Sequence, residues 1–169
     1  PLAPAEFPSL PEIPGVRLSS IAAGLRYQRR ADLMLAEFVE GTVVAGVFTK
    51  SRCASAPVDW CRNILPRGRA RALVCNAGNA NAFTGRDGET ATAQTAQAIG
   101  ELLSIDPDDV YLASTGVIGE SLPMDALRGA LPELVKASAA ASGDAWLGAA
   151  NAIRTTDTFP KGAGGRARI

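Results

Sequence analysis

The chain has 169 residues, enough for one domain, or most of one, with a sizeable buried core. Its 17 basic and 17 acidic residues balance, so no charge footprint points to nucleic acid or to an anionic membrane surface. Histidine is absent, which excludes a Ser–His or Cys–His dyad and any His-ligated metal site built from this chain alone.

Cys53, Cys61 and Cys75 are an odd number without C-x-x-C spacing, so neither a disulfide framework nor a thiolate zinc site is indicated. Each reads as a small buried hydrophobe, with Cys75, at the end of an expected strand, the first candidate for enclosure. No apolar run reaches the length of about 18 residues that a membrane span needs, and no secretory signal pattern opens the chain. A soluble, cytoplasmic protein is expected. Because position 1 is Pro1 rather than Met, an upstream segment is expected to have been lost.

In chain order, residues 1–16 carry Pro1, Pro4, Pro8, Pro11 and Pro14, a spacing that excludes a helix and predicts an extended arm over a surface. Residues 17–169 then read as a single α/β domain. Arg26 to Arg30 and Arg67 to Arg71 read as solvated loop or strand-edge charge. Ala31–Glu40 predicts a strand, turned by Gly41 into the β-branched run Thr42–Thr49 to make a hairpin. Pro57–Cys61 is a short piece, extended or helical. Arg71–Asn76 predicts a buried strand, followed by a small, asparagine-rich loop, Asn76–Gly85.

The most secure helix is Glu89–Leu103, alanine-rich with apolar residues at helical spacing, and Asp87 or Thr90 could cap it. Val110–Ala113 predicts the next strand, running into Ser114-Thr115-Gly116-Val117-Ile118-Gly119. Met124–Ala139 predicts a helix interrupted near Pro132. A third helix covers about Gly143–Ile153, with Asp144 in its first turn and Trp146, Ala150 and Ile153 on one face. Thr155–Thr158 is then a hydroxyl-rich turn or strand start, and no repeat of 20 to 50 residues is present.

Three polar segments, Asn76–Gly85, Ser114–Gly119 and Thr155–Thr158, follow expected strands or a helix, and none contains an obvious charged base. They offer hydroxyls, side-chain amides and backbone N–H groups, which suit stabilisation of negative charge on a carbonyl oxygen. A Thr hydroxyl and the N–H of the adjacent Gly could converge on one oxygen. Anion binding at a helix N-terminus is the other physical use, although the phosphate-loop and dinucleotide fingerprints are both missing. The asparagine-rich loop reads equally as structure or as function, since Asn bonds its own backbone in turns.

Taken in order, Gly46-Val47-Phe48-Thr49, Ala56-Pro57-Val58, Asn76–Gly85, Ser114–Met124 and Thr155–Lys161 resemble the ornithine acetyltransferase family, the arginine-biosynthetic glutamate N-acetyltransferases of the ArgJ type. The likeness runs from about residue 10 to residue 161. It implies transfer of an acetyl group from N-acetylornithine to glutamate through an acetyl-threonine intermediate. In that family the precursor cuts itself in two, and the nucleophile is the newly exposed N-terminal threonine of the second chain. A threonine whose own amine is the base accounts for acyl transfer without histidine.

Position by position, the resemblance gives Thr115 and Gly116 as an oxyanion-hole pair and Thr155 as a substrate-binding threonine. It implies no metal and no cofactor, leaves acetyl-CoA open as a co-substrate, and implies β sheets sandwiched between helical layers, an αββα arrangement. The chain would be an incomplete α chain, stopping at Ile169 before the family's K-G-A-G-M segment and cleavage point. Its partners would be the β chain of the same precursor, in an α2β2 or higher assembly with exposed strand edges, and it would be inactive alone. Lys161 matches the family's earlier P-K lysine and is assigned no substrate role. A self-processing aminopeptidase or amidohydrolase of similar fold, a small-anion binding module and a remnant that only folds are the competing readings. Release of product without an acceptor would mark the hydrolase, and anion binding indifferent to Thr115 would mark the module.

Overall fold

The computed structural model describes residues 4–168. A five-stranded sheet forms from β1 (Val16–Ile21), β2 (Leu33–Phe38), β3 (Ala72–Asn79), β4 (Val110–Val117) and the two-residue β5 (Ala139–Ala140). Their spatial order is β4-β3-β2-β1-β5. β3 and β4 are parallel, joined by a crossover through α2 (Gly85–Leu103), and every other pairing is antiparallel. The remaining helices are α1 (Ala56–Ile64), α3 (Met124–Lys136) and α4 (Gly143–Ala152). None is long and apolar enough to cross a membrane.

Strand alternation divides the core between the two faces of the sheet. Leu33, Leu35, Val74 and Leu112 point to one face and pack with Ile99 of α2 and Leu127, Leu131 and Leu134 of α3. Leu18, Met34, Ala36 and Cys75 point to the other, where Ala149 and Ala152 of α4 cover part of them. The mixed α/β character expected of the chain is thus present, and the described residues contribute one β layer with helices on both sides. The extended segment ahead of β1 lies against α4, where the Trp146 indole N–H donates to the Pro11 carbonyl at 3.1 Å.

The expected hairpin does not form. β2 pairs with β1 and β3, while the stretch Thr42–Thr49 has a single bridge, Val43 to Arg69. Val43 is 84% and Val47 97% exposed; β-branched composition favours a strand only where a face can be buried. The outer edge of β4 is covered at its start, whereas β1 at the other side of the sheet is paired outward only at Arg17 and Leu18. Trp60 of α1 donates its indole N–H to the Val110 carbonyl at 2.9 Å, and the Cys61 thiol meets both the carbonyl and the N–H of Leu112. Side chains of α1 therefore stand where another strand would pair.

Helix α2 starts four residues earlier than the periodicity predicts, and neither Asp87 nor Thr90 caps it; Thr84 occupies the cap position and Asp87 places its charge in the first turn. Helix α3 continues through Pro132 without interruption. An interior proline costs about 3 kcal/mol, whereas burying each large aliphatic side chain contributes about 1.5–3 kcal/mol. Leu127, Leu131 and Leu134 are all fully enclosed, so packing decides the outcome. In α4 Ala149 and Ala152 are buried, and Trp146, Ala150 and Ile153 share one face as expected, lining an apolar groove with Leu18, Met34 and Ala36 in which Ile153 stays 42% exposed.

Arg67 and Arg69 are not simply solvated charge. They pair with Asp106, Asp108 and Asp109, tying the approach to β3 to the short 3-10 turn Pro107–Asp109 that leads into β4.

Candidate functional site

In a parallel β–α–β unit the C-terminal ends of the strands open toward ligand, because the crossover helix returns the chain to the opposite end. Here both strands end in the polar segments the sequence singles out. β3 extends to Asn79 and β4 to Val117, longer than expected, so Asn76–Asn79 and Ser114–Val117 lie side by side within the ladder.

The register explains the glycines. Gly78 pairs with Gly116, and a bulge at Gly78 and Asn79 lets Asn79 face both Thr115 and Val117. Gly116 has a φ of +133°, and a Cβ on it would lie 2.3 Å from the Gly78 carbonyl carbon and 2.6 Å from the Asn79 nitrogen. Only glycine permits so close an approach.

The same register aims the side chains. Val110 and Leu112 enter the core beside α2, and the Ser114 hydroxyl donates to Asn76 Oδ1 at 2.6 Å on that side. Thr115 shares the opposite face with Tyr111 and Ala113. Tyr111 is buried beneath α1, but Ala113 is exposed and Thr115 half-buried. Beyond Tyr111 this face is no longer enclosed, and the Thr115 side chain lies on it, partly accessible, near the strand end.

The asparagine-rich segment turns the other way. Asn76 Nδ2 donates to the Asn79 carbonyl at 2.9 Å, and Asn79 Nδ2 to the Glu120 and Ser121 carbonyls at 2.8 and 3.1 Å. Asn81 Nδ2 donates to the Gly88 carbonyl and the Thr92 hydroxyl, and Thr84 donates to Asn81 Oδ1 at 2.9 Å. All three asparagines are buried. Buried amides demand such partners, so this segment builds the wall of the site and fixes the start of α2. Asn81 and Phe83 take left-handed backbone conformations to do so, with φ of +45° and +56°.

Thr155 follows α4 and is half-buried. Arg30, in the loop between β1 and β2, donates to the Arg154 carbonyl, and that loop meets the end of β3 where Ala77 N–H donates to the Asp32 carbonyl at 2.8 Å. The end of α4 therefore stands at the same end of the sheet as the polar termini of β3 and β4. Asp32, which the sequence reading passes over, holds this loop: its buried carboxylate accepts from the N–H groups of Ala23 and Leu25 at 2.7 and 2.8 Å. An aspartate directly ahead of an apolar strand is the signal that would have found it. Thr156 is exposed, and Lys161 pairs with Asp157, holding that carboxyl below the usual carboxylate range.

The two buried thiols, Cys61 and Cys75, are not poised as nucleophiles. Burial pushes the Cys75 thiol up to about 11 and the Cys61 thiol above its ordinary value, so both are protonated near neutrality. Cys61 is at least as enclosed as Cys75, and Cys53 is exposed. Among the described residues no three Cys, Asp or Glu side chains converge as a metal cage.

Comparison with known proteins places the chain. The ArgJ family model matches residues 17–169. The chain belongs to the ArgJ family. It is 59% identical over 157 residues to the arginine biosynthesis bifunctional protein ArgJ of Gluconobacter oxydans, covering 93% of this chain and 36% of that protein. The ArgJ protein of Nitrobacter winogradskyi is 53% identical over 173 residues, covering 100% of this chain and 41% of the relative. The chain thus spans well under half the length of the curated ArgJ relatives it matches. Among solved structures, ornithine acetyltransferase from Mycobacterium tuberculosis, complexed with ornithine, superposes with a TM-score of 0.80 at 34% identity, covering 92% of each chain. The ArgJ protein of Bacillus halodurans also gives 0.80, at 29% identity over 86% of this chain and 75% of that one.

Proposed function

We infer that this chain is the α-chain part of a glutamate N-acetyltransferase that takes acetyl from N-acetylornithine. The observation that carries the reading is the close Gly78–Gly116 pairing, which ends β4 with Thr115 presented on the open face while its polar neighbours turn inward. The family membership and the likeness to an ornithine acetyltransferase support it.

In this mechanism the N-terminal threonine of the β chain attacks the acetyl carbonyl of N-acetylornithine. The C–O bond forms, the carbonyl oxygen takes the negative charge, and the C–N bond breaks as ornithine leaves with the proton. The glutamate amine then attacks the acetyl ester, N-acetylglutamate departs, and the threonine recovers its hydroxyl proton. Both steps pass through a tetrahedral oxyanion. The Thr115 hydroxyl and the Gly116 N–H are its donors, and Thr155 contacts the substrate. Donors of this kind contribute about 2.7–4 kcal/mol each to the transition state.

No cofactor or metal enters the scheme; acetyl-CoA would serve only as an additional acetyl donor. The chain works with the β chain cut from the same precursor, in an α2β2 or higher assembly in the cytoplasm. The test is to supply the full-length protein with N-acetylornithine, with and without glutamate. N-acetylglutamate formed in step with ornithine supports the reading. Acetate and ornithine released at full rate without glutamate would identify a hydrolase and overturn it.

A further inference from the structure

Next to Thr155 the fold gathers arginines that the acetyl-transfer scheme leaves unused. Arg30 and Arg154 are 124 positions apart in sequence, and the Arg30 guanidinium donates to the Arg154 carbonyl while lying 4.2 Å from the centre of the Tyr27 ring. Arg154 donates to the Asp157 carbonyl at 3.3 Å, and its Nε is enclosed without a partner. Arg29, in a left-handed conformation, is exposed in the same loop.

The acids nearby are committed. Asp157 pairs with Lys161, Glu120 pairs with Arg26, and Asp32 is buried beneath the loop on two backbone amides. Among the described residues neither Arg30 nor Arg154 has a carboxylate partner, and each guanidinium makes one internal hydrogen bond. A guanidinium has five donors in a planar fork that matches a carboxylate, and both side chains keep terminal N–H groups without an internal acceptor, although the Arg154 Nε is itself enclosed. The Tyr27 ring restrains Arg30 before anything binds, which lowers the ordering cost of recognition.

We propose that Arg30 and Arg154 form a carboxylate-recognition subsite beside Thr155, taking a carboxylate of the amino-acid substrate. This rests on the acetyltransferase reading. The shared chemistry is a carboxylate, either the α-carboxylate common to donor and acceptor or the side-chain carboxylate that glutamate alone carries.

The test uses the full-length, self-processed protein with Arg154→Gln, Arg30→Gln and the conservative Arg30→Lys, each checked for processing and for its melting temperature. KM for N-acetylornithine and for glutamate is measured separately from kcat, and glutamate binding is followed by calorimetry, which needs no turnover. Loss of one charge-assisted contact weakens binding about 10- to 100-fold. A rise of that size in KM and in the calorimetric Kd, with kcat held within about threefold and Arg30→Lys intermediate, supports the subsite. Both KM values rising identifies the α-carboxylate, and the glutamate KM alone identifies the side chain. Unchanged KM and Kd in folded, processed variants overturn the proposal while leaving acetyl transfer intact. Wild-type protein that binds glutamate but transfers nothing would contradict the acetyltransferase reading instead, with the calorimetric comparison still deciding the subsite.

Discussion

Gly116 lies so close to Gly78 that a Cβ on it would meet the Gly78 carbonyl carbon at 2.3 Å. The contact couples two strand ends, and with them the position of Thr115, to the absence of a side chain at one residue. Gly116→Ala combines that clash with a φ of +133° and is expected to cost at least about 2 kcal/mol in urea unfolding of the full-length protein. Gly129→Ala is the control. That residue is exposed inside α3 with nothing within 4 Å of its added methyl, and the change should stabilise by about 0.5–1 kcal/mol.

The asparagine wall makes a second prediction. Asn81 holds Gly88, Thr92 and Thr84 from a fully buried position. Asn81→Ala removes the acceptor of the Thr84 hydroxyl and one of the two side-chain donors to the Gly88 carbonyl, which still accepts from the Thr92 hydroxyl at 2.8 Å. It should destabilise the fold by about 1–3 kcal/mol, read as a lower urea midpoint with an unchanged slope.

Enclosure distinguishes the thiols. In native protein near neutral pH, alkylation should modify Cys53 rapidly, while Cys61 and Cys75 react only after unfolding, as mapped by mass spectrometry of the three peptides. Rapid native labelling of Cys75 would show that the face carrying it opens.

The acid side of the stability profile tests the Arg67 cluster. Asp106 accepts from the Asp108 N–H at 3.0 Å and from Arg67, and the two together hold its carboxyl below the ordinary range. A depressed folded-state value means that the stabilisation is present above the unfolded value of about 3.9 and is lost as pH falls through the folded value. Asp106→Asn should therefore be less stable than wild type at neutral pH, by a small, salt-sensitive margin because the pair is partly exposed, and the gap should close on acidification.

Much of the β3–α2–β4 unit is legible in the sequence because its signals are local: two apolar runs and an alanine-rich helix with clear periodicity. β1 is not, since Val16–Ile21 includes one arginine and two serines and becomes a strand only through its pairing with β2 and β5. The Thr42–Thr49 run shows the converse, with strand propensity and no face to bury. At the site, Thr115 and Gly116 stand out in the sequence as a strand-end turn, and their proposed oxyanion-hole role comes from the resemblance alone. The inward turn of Asn76, Asn79 and Asn81 is not legible in the sequence, because Asn in a turn looks alike whether it serves a ligand or its own backbone. Nothing in the sequence pairs Arg30 with Arg154, which only the tertiary fold joins.

The most direct test of the central claim compares acetyl transfer from N-acetylornithine to glutamate by full-length wild-type protein and by Thr115→Ala, with self-cleavage confirmed in both. A cleaved Thr115→Ala protein whose kcat falls by about 10²-fold or more, with its melting temperature preserved, is the predicted result. Transfer at the wild-type rate in the cleaved variant would contradict the account and remove Thr115 from the oxyanion hole.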